Sequence, residues 1–156
     1  MTDTNKEVIS VLNDLIEFSK DGEKGFATCA EDVKRADLKT YFLQRSGDCA
    51  SAAAELQQHV RSLGGDPETS TSLSGDLHRR WVDLKAMVTG KDDEAVLNEA
   101  ERGEDHALKA YKEALEKLAK VAPASAAYSL VERQYHGVQR NHDQVKVLRN
   151  SARAQS

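Results

Sequence analysis

Apolar residues recur at helical spacing along four long stretches of the chain. The first carries Val8, Leu12, Leu15, Phe26, Ala30 and Val33, and the second Leu38, Phe42, Cys49, Ala53, Leu56, Val60 and Leu63. Steps of three and four residues gather such positions on one stripe of an α-helix. Local signals bound the stretches. Thr4 with Glu7 three residues on has the spacing of a capping box, and Gly64-Gly65 stops the second stretch. The acidic run "KDDE" suits the start of the third, and "APAS" around Pro123 separates it from the fourth, which carries Tyr128, Val131, Tyr135, Val138, Val145 and Leu148. The pattern predicts helices over about 4–35, 37–63, 92–120 and 125–152.

The third stripe breaks its own rule. Leu97, Leu108, Tyr111, Leu115 and Leu118 share a seam, but the positions that complete it are Glu101 and Glu104. Carboxylates where the pattern demands apolar side chains need a partner, because a buried charge is unfavourable unless paired, neutralised or bound to metal.

Helices of about 27–30 residues are roughly 40–45 Å long at 1.5 Å per residue, and four of matched length form a four-helix bundle. Short connections make the first and second helices antiparallel, and likewise the third and fourth. Residues 66–91 are too many for a tight turn and hold a short amphipathic pattern over about Leu77–Val88. Such a crossover runs the length of the bundle and makes the second and third helices parallel. The predicted fold is all-α, a single up-down-down-up bundle of ferritin-like topology over 1–156. Within the crossover, His78, Arg79, Arg80 and Trp81 form a distinctive string, with the tryptophan expected to pin it to the bundle.

Counting from the turns sets the seam carboxylates at mid-height. Glu104 lies about 18 residues before the turn near Pro123, and His142 about 19 after it. Glu23 is level with Asp48 and Cys49 across the first pair. Gly22, Gly25, Gly47, Gly103 and Gly137 fall near the middles of helices, where each costs about 1 kcal/mol relative to alanine; close helix contact and room beside a mid-bundle site explain them equally well. Inward carboxylates with an imidazole are the ingredients of a metal site, so Glu23, Glu101, Glu104 and His142 are candidate ligands for iron or manganese, with Asp48 a further one. The full di-iron set needs Glu-x-x-His on two helices, whereas Gln139 precedes His142 here and the second helix has no such motif. The alternative is a metal-free network in which Glu101 or Glu104 meets His142, a tyrosine such as Tyr111 or Tyr135, or Arg45.

Charge narrows the field. The 156 residues carry a formal net charge of −4, which leaves no basic stripe for nucleic acid. No apolar run is long enough to span a membrane, and "MTDTNKEV" lacks a signal-peptide layout, so a cytoplasmic location is expected. Cys29 and Cys49 read as small, reduced core residues. Apolar residues on outer faces would favour a homodimer.

The strings "VLNDLIEFSKDGEKGFATCAEDV", "LHRRWVDLKA", "NEAERGEDHALKAYKEAL" and "VERQYHGVQRNHDQVKVLR" together resemble a family of small, uncharacterised bacterial ferritin-like bundle proteins, classed as a domain of unknown function. The resemblance runs from about residue 5 to 150. It implies the ferritin-like fold, a bacterial cytoplasmic setting and an association with stress responses, without an established activity. Two functions follow as expectations. One is a non-enzymatic bundle with a polar network at its middle; the other is a metal-binding protein handling iron or scavenging peroxide.

Overall fold

The computed structural model describes residues 2–69 and 93–155, which form four α-helices: α1 (Asp3–Asp32), α2 (Ala36–Ser62), α3 (Asp93–Val121) and α4 (Ala126–Gln155). Their bounds fall within three residues of those the pattern predicts. The short helix expected over Leu77–Val88, with the His78–Trp81 string, lies outside the described residues.

Each junction is held by a specific polar contact. The N-cap of α1 is Thr2 rather than Thr4: its hydroxyl accepts the Asn5 N–H at 3.1 Å. The string "TDTN" offers this earlier cap, and using it sets Asp3 in the first turn, where a carboxylate meets the unpaired N–H groups. After α1, the carboxylate of Asp93 at the start of α3 accepts the backbone N–H groups of Lys34 at 2.8 Å and Arg35 at 3.2 Å. One side chain thereby ties the α1–α2 turn to the far pair of helices. At the end of α2, Gly64 adopts φ 83°, the left-handed turn that glycine takes without strain. Gly65 follows so close to α1 that a Cβ there would lie 2.7 Å from Ile9 Cδ1. The departing chain is then clamped by Asn13, which donates to Asp66 O at 3.3 Å and accepts from Glu68 N at 2.8 Å. Ser125 caps α4 by accepting the Tyr128 N–H at 3.1 Å.

Named pairs give the topology. Lys39 reaches Ala30 O and Ser46 reaches Glu23 O, so α1 and α2 run antiparallel. Tyr111–Gln134 and Glu94–Arg153 establish the same for α3 and α4. Asp93 at the α1–α2 turn sets α3 antiparallel to α1 and so parallel to α2. The bundle is up-down-down-up, as its pattern predicts. α1 packs along α2, α3 along α4 and α1 against α3, whereas α2 and α4 approach only sparsely.

The core divides in two. At one end Leu12, Ile16, Leu56, Val60, Tyr111, Leu118 and Val131 form an apolar cluster. At the other, Phe26, Val33, Leu38, Phe42, Leu97 and Val145 form a second. Between them lies a polar belt. In α3 the buried line is Leu97, Ala100, Glu104, Ala107, Tyr111, Ala114 and Leu118. The seam is therefore turned slightly from the one predicted: small alanines take its centre, while Glu101, Leu108 and Leu115 are half-buried along its edge. Alanine lets helices approach closely, so the stripe with less apolar bulk is the one that packs inward.

Candidate functional site

Glu104, one of the most deeply buried side chains at 1% exposure, meets Arg45, which is 5% exposed. Arg45 arrives from α2 across the bundle diagonal, one turn beyond Phe42 on the same inward stripe. Its Nη2 donates to both Glu104 oxygens, at 2.9 and 3.2 Å, and its Nη1 to Asp48 Oδ2 at 3.4 Å. The guanidinium carbon lies 4.7 Å from the centroid of the Phe26 ring, a cation–π distance. Burial pushes the Glu104 carboxyl above its ordinary value, against the pull of Arg45. The same burial disfavours the charge of Arg45, but Glu104, with smaller help from Cys49 and Tyr41, holds the guanidinium above its usual range. One donor is left over: Arg45 Nε is buried without an acceptor.

Glu101 and His142 belong to a second group, on the α3–α4 edge. His142 Nε2 lies 2.5 Å from Asp105 Oδ1, and its Nδ1 lies 3.6 Å from Asp143 Oδ1. Glu101 holds Arg149 of α4 in an ion pair. One ligand atom each from Glu101, Asp105 and His142 fits within a 4.8 Å span. Both seam carboxylates thus meet an arginine from another helix.

A cavity of about 640 Å³ opens beside the Arg45–Glu104 pair, in the space that the sparse approach of α2 and α4 leaves. Gly22, Gly103 and Gly137 line it. Of these, Gly22 answers to close contact, since a Cβ would stand 3.0 Å from Cys49 Sγ, whereas at Gly137 it would meet only Arg140 Nη2 at 3.6 Å. One end of the cavity is closed by a saturated network. There Tyr111 OH donates to Gln134 Oε1 at 2.7 Å, Gln134 Nε2 to Glu55 Oε1 at 2.9 Å, and Arg133 Nη2 to Glu55 Oε2 at 2.6 Å. Cys49 also faces the cavity, and burial pushes its thiol up to about 12, so it stays protonated and unreactive at neutral pH.

The five candidate ligands do not converge. Glu104 is alone among them in the deep core, Asp48 touches Arg45 from the exposed rim, and Glu101 and His142 join on the α3–α4 edge. Glu23 is half-buried on α1, its carbonyl accepting from Ser46 Oγ at 2.8 Å. Gln139, at the position where the di-iron pattern wants glutamate, donates to Tyr135 OH at 3.1 Å. A di-iron complement of four carboxylates and two histidines does not fit the described residues, because a guanidinium occupies the mid-bundle carboxylate. The Glu101, Asp105 and His142 group has the donor chemistry of a single cation site and is compatible with iron. Asp105 and Arg149 were missing from the sequence-derived set. Asp105 follows Glu101 by four residues and Arg149 follows His142 by seven, so helical spacing alone would have flagged both.

Comparison with known proteins agrees with this architecture. Residues 7–117 match the model of a family described as Domain of unknown function (DUF2383), and the chain belongs to that family. No curated protein sequence matches it. Among solved structures it is similar to ferritin-like, diiron-carboxylate proteins from Bacillus anthracis str. Ames, with TM-score 0.74 and 19% identity over 95% of this chain and 99% of that one. It is also similar to a DPS protein from Vibrio cholerae O1, described as a member of a broad superfamily of ferritin-like diiron-carboxylate proteins, with TM-score 0.74 and 13% identity over 93% of this chain and 90% of that one. The chain therefore has the ferritin-like fold. No helix among the described residues is long and apolar enough to cross a membrane.

Proposed function

We propose that this member of the DUF2383 family is a non-enzymatic ferritin-like protein whose mid-bundle carboxylate is neutralised by a guanidinium instead of metal ions. The observation that carries the reading is Arg45 bonded to both oxygens of Glu104. A carboxylate so engaged already has its charge balanced, and the positive charge at its side repels a second cation. The reading keeps the bacterial, cytoplasmic and stress-associated setting that the sequence resemblance implies, with action through ligands or protein partners. Leu43 and Val147, among the described residues the large apolar side chains most open to solvent at 61% and 66% exposure, are residues that a homodimer would cover. The net charge of −4 disfavours nucleic acid as partner.

A second reading, iron or manganese handling, draws on the Glu101, Asp105 and His142 group. A cation there would take the place of the short His142–Asp105 contact, and Asp143 beside Nδ1 would orient the ring from behind. Glu101 would have to release Arg149.

Metal analysis of protein purified from iron-supplemented cells decides between the readings, together with melting curves with and without Fe²⁺ or Mn²⁺. The first reading expects metal-free protein and an unchanged melting temperature. Near-stoichiometric metal that disappears in a Glu101→Ala, His142→Ala protein would overturn it in favour of the second, because a ligand that binds only the folded state must raise the melting temperature.

A further inference from the structure

We infer that Arg149 is a built-in substitute for a divalent metal ion, and that the Glu101, Asp105 and His142 group beside it is a single-cation site which the guanidinium holds closed. The inference rests on the donor chemistry that the second reading assigns to this group. It parts from that reading in expecting wild-type protein to bind the ion weakly and to be purified without it.

The donors are assembled before any ion arrives. Glu101 and Asp105 are four residues apart on α3, so their carboxylates share one face of the helix, a turn apart. His142 meets them from α4, with Nε2 2.5 Å from Asp105 Oδ1. One ligand atom from each of the three lies within 4.8 Å of the others. Two carboxylates bring the two negative charges that a divalent ion needs, and the imidazole favours a zinc-class metal over magnesium or calcium. Asp105 is exposed at the rim, which leaves the ion a way in. What stands against the ion is the positive charge of Arg149, paired with Glu101.

How firmly each guanidinium holds decides whether an ion can replace it. Arg45 grips both oxygens of Glu104, and its departure would strand a carboxylate cut off from water. Arg149 bonds one oxygen of Glu101, and the two side chains are still 17% and 15% exposed, so water can reach both as they part. Its other donors are poorly met. Nη2 reaches Asn150 Oδ1 at 3.3 Å, and Nε, like that of Arg45, is buried without an acceptor. The first pair is therefore locked and the second exchangeable. Because the three donors come from α3 and α4, an ion among them would tie the same two helices that the Arg149 pair ties, and would release Arg149.

The test is calorimetric titration of the full chain with Zn²⁺, and with Mg²⁺ as the hard-ion control, on wild type, Arg149→Gln and Arg149→Met. Glutamine keeps a hydrogen-bond donor for Glu101 and methionine keeps the apolar stem, so the two variants separate charge from packing. Both should bind one Zn²⁺ at least about tenfold more tightly than wild type, because a site open only when its occupant leaves loses affinity by that fraction. Mg²⁺ should show no such gain. Zn²⁺ should also raise the melting temperature of both variants more than that of wild type. Adding Asp105→Asn and His142→Gln to Arg149→Gln should abolish the gain, and a gain that survives them would overturn the inference. Near-stoichiometric metal in purified wild type would support the second reading and overturn this one, since Arg149 would then exclude nothing. Saturable binding that is no tighter in either Arg149 variant would overturn it too, and no saturable Zn²⁺ binding in any of the three proteins would remove both.

Discussion

At the scale of the residue, two kinds of ion pair must be kept apart. Arg35–Asp37 and Arg102–Glu99 are ion pairs with an exposed partner, and such pairs contribute little. Arg45–Glu104 is buried on both sides, where desolvation offsets most of the Coulomb attraction but neither partner can be lost alone. Arg45→Ala should therefore destabilise by about 3–5 kcal/mol in urea unfolding, since it strands a buried carboxylate. A paired Arg45→Met, Glu104→Leu replacement should be near neutral or stabilising, and that contrast separates the worth of the pair from the penalty of breaking it. A double variant as unstable as the single one would show that the pair itself holds the bundle. Glu55 sets a pH dependence of its own. Its hydrogen bond from Arg133 leads the causes that hold its carboxyl below the ordinary 4.5, against a smaller opposing effect of burial. A carboxylate depressed in the folded state stabilises fully above its unfolded value and loses that contribution as pH falls through the folded one. Acid titration of unfolding stability below about pH 4.5 should accordingly be shallower in Glu55→Gln than in wild type. Because Glu55 is partly open to water, the difference should be small.

At the scale of the element, the helix ends are where backbone chemistry was most directly readable. Gly64-Gly65 stops α2, and the positive φ of Gly64 shows why glycine stands there. Gly64→Ala should cost about 1 kcal/mol in thermal or urea unfolding, the penalty of a Cβ in the left-handed region. An unchanged stability would mean that the turn rearranges freely. Helix number, topology and bounds were legible because each follows from local spacing and from the length of the connections. The rotation of α3 was less so. Leucine carries more apolar weight than alanine, so the pattern favours Leu108 and Leu115 over Ala107 and Ala114, yet close packing against α1 selects the small side chains. Half a residue of rotation then decides that Glu104 points to the centre and Glu101 to an edge. The candidate site was legible as a set of charged residues at one height and not as a set of pairs. Arg45 stood among the partners open to Glu104. Nothing in spacing along one helix says that a guanidinium will arrive across the diagonal from another.

At the scale of the whole molecule, the described residues form two apolar cores joined by a polar waist, and among them the waist is open on the α2–α4 side. Hydrophobic burial is strongest where Leu12, Leu56 and Leu118 meet and where Phe26, Phe42 and Leu97 meet. Between these clusters, Gly137 lines the cavity, and a Cβ there would meet only Arg140 Nη2 at 3.6 Å. Local opening follows contact density, so a waist short of packing should unfold in part before either end does. Native-state hydrogen exchange should then grade along the helices. Amides near Gly47 in α2 and Gly137 in α4 should exchange faster than those near Val60 and Leu118, although all four positions are helical and hydrogen-bonded. Uniform protection along α2 and α4 would instead mean that the Arg45–Glu104 pair and the Glu55–Arg133–Gln134 network hold the two halves as one cooperative unit, with the cavity a rigid gap rather than a soft one.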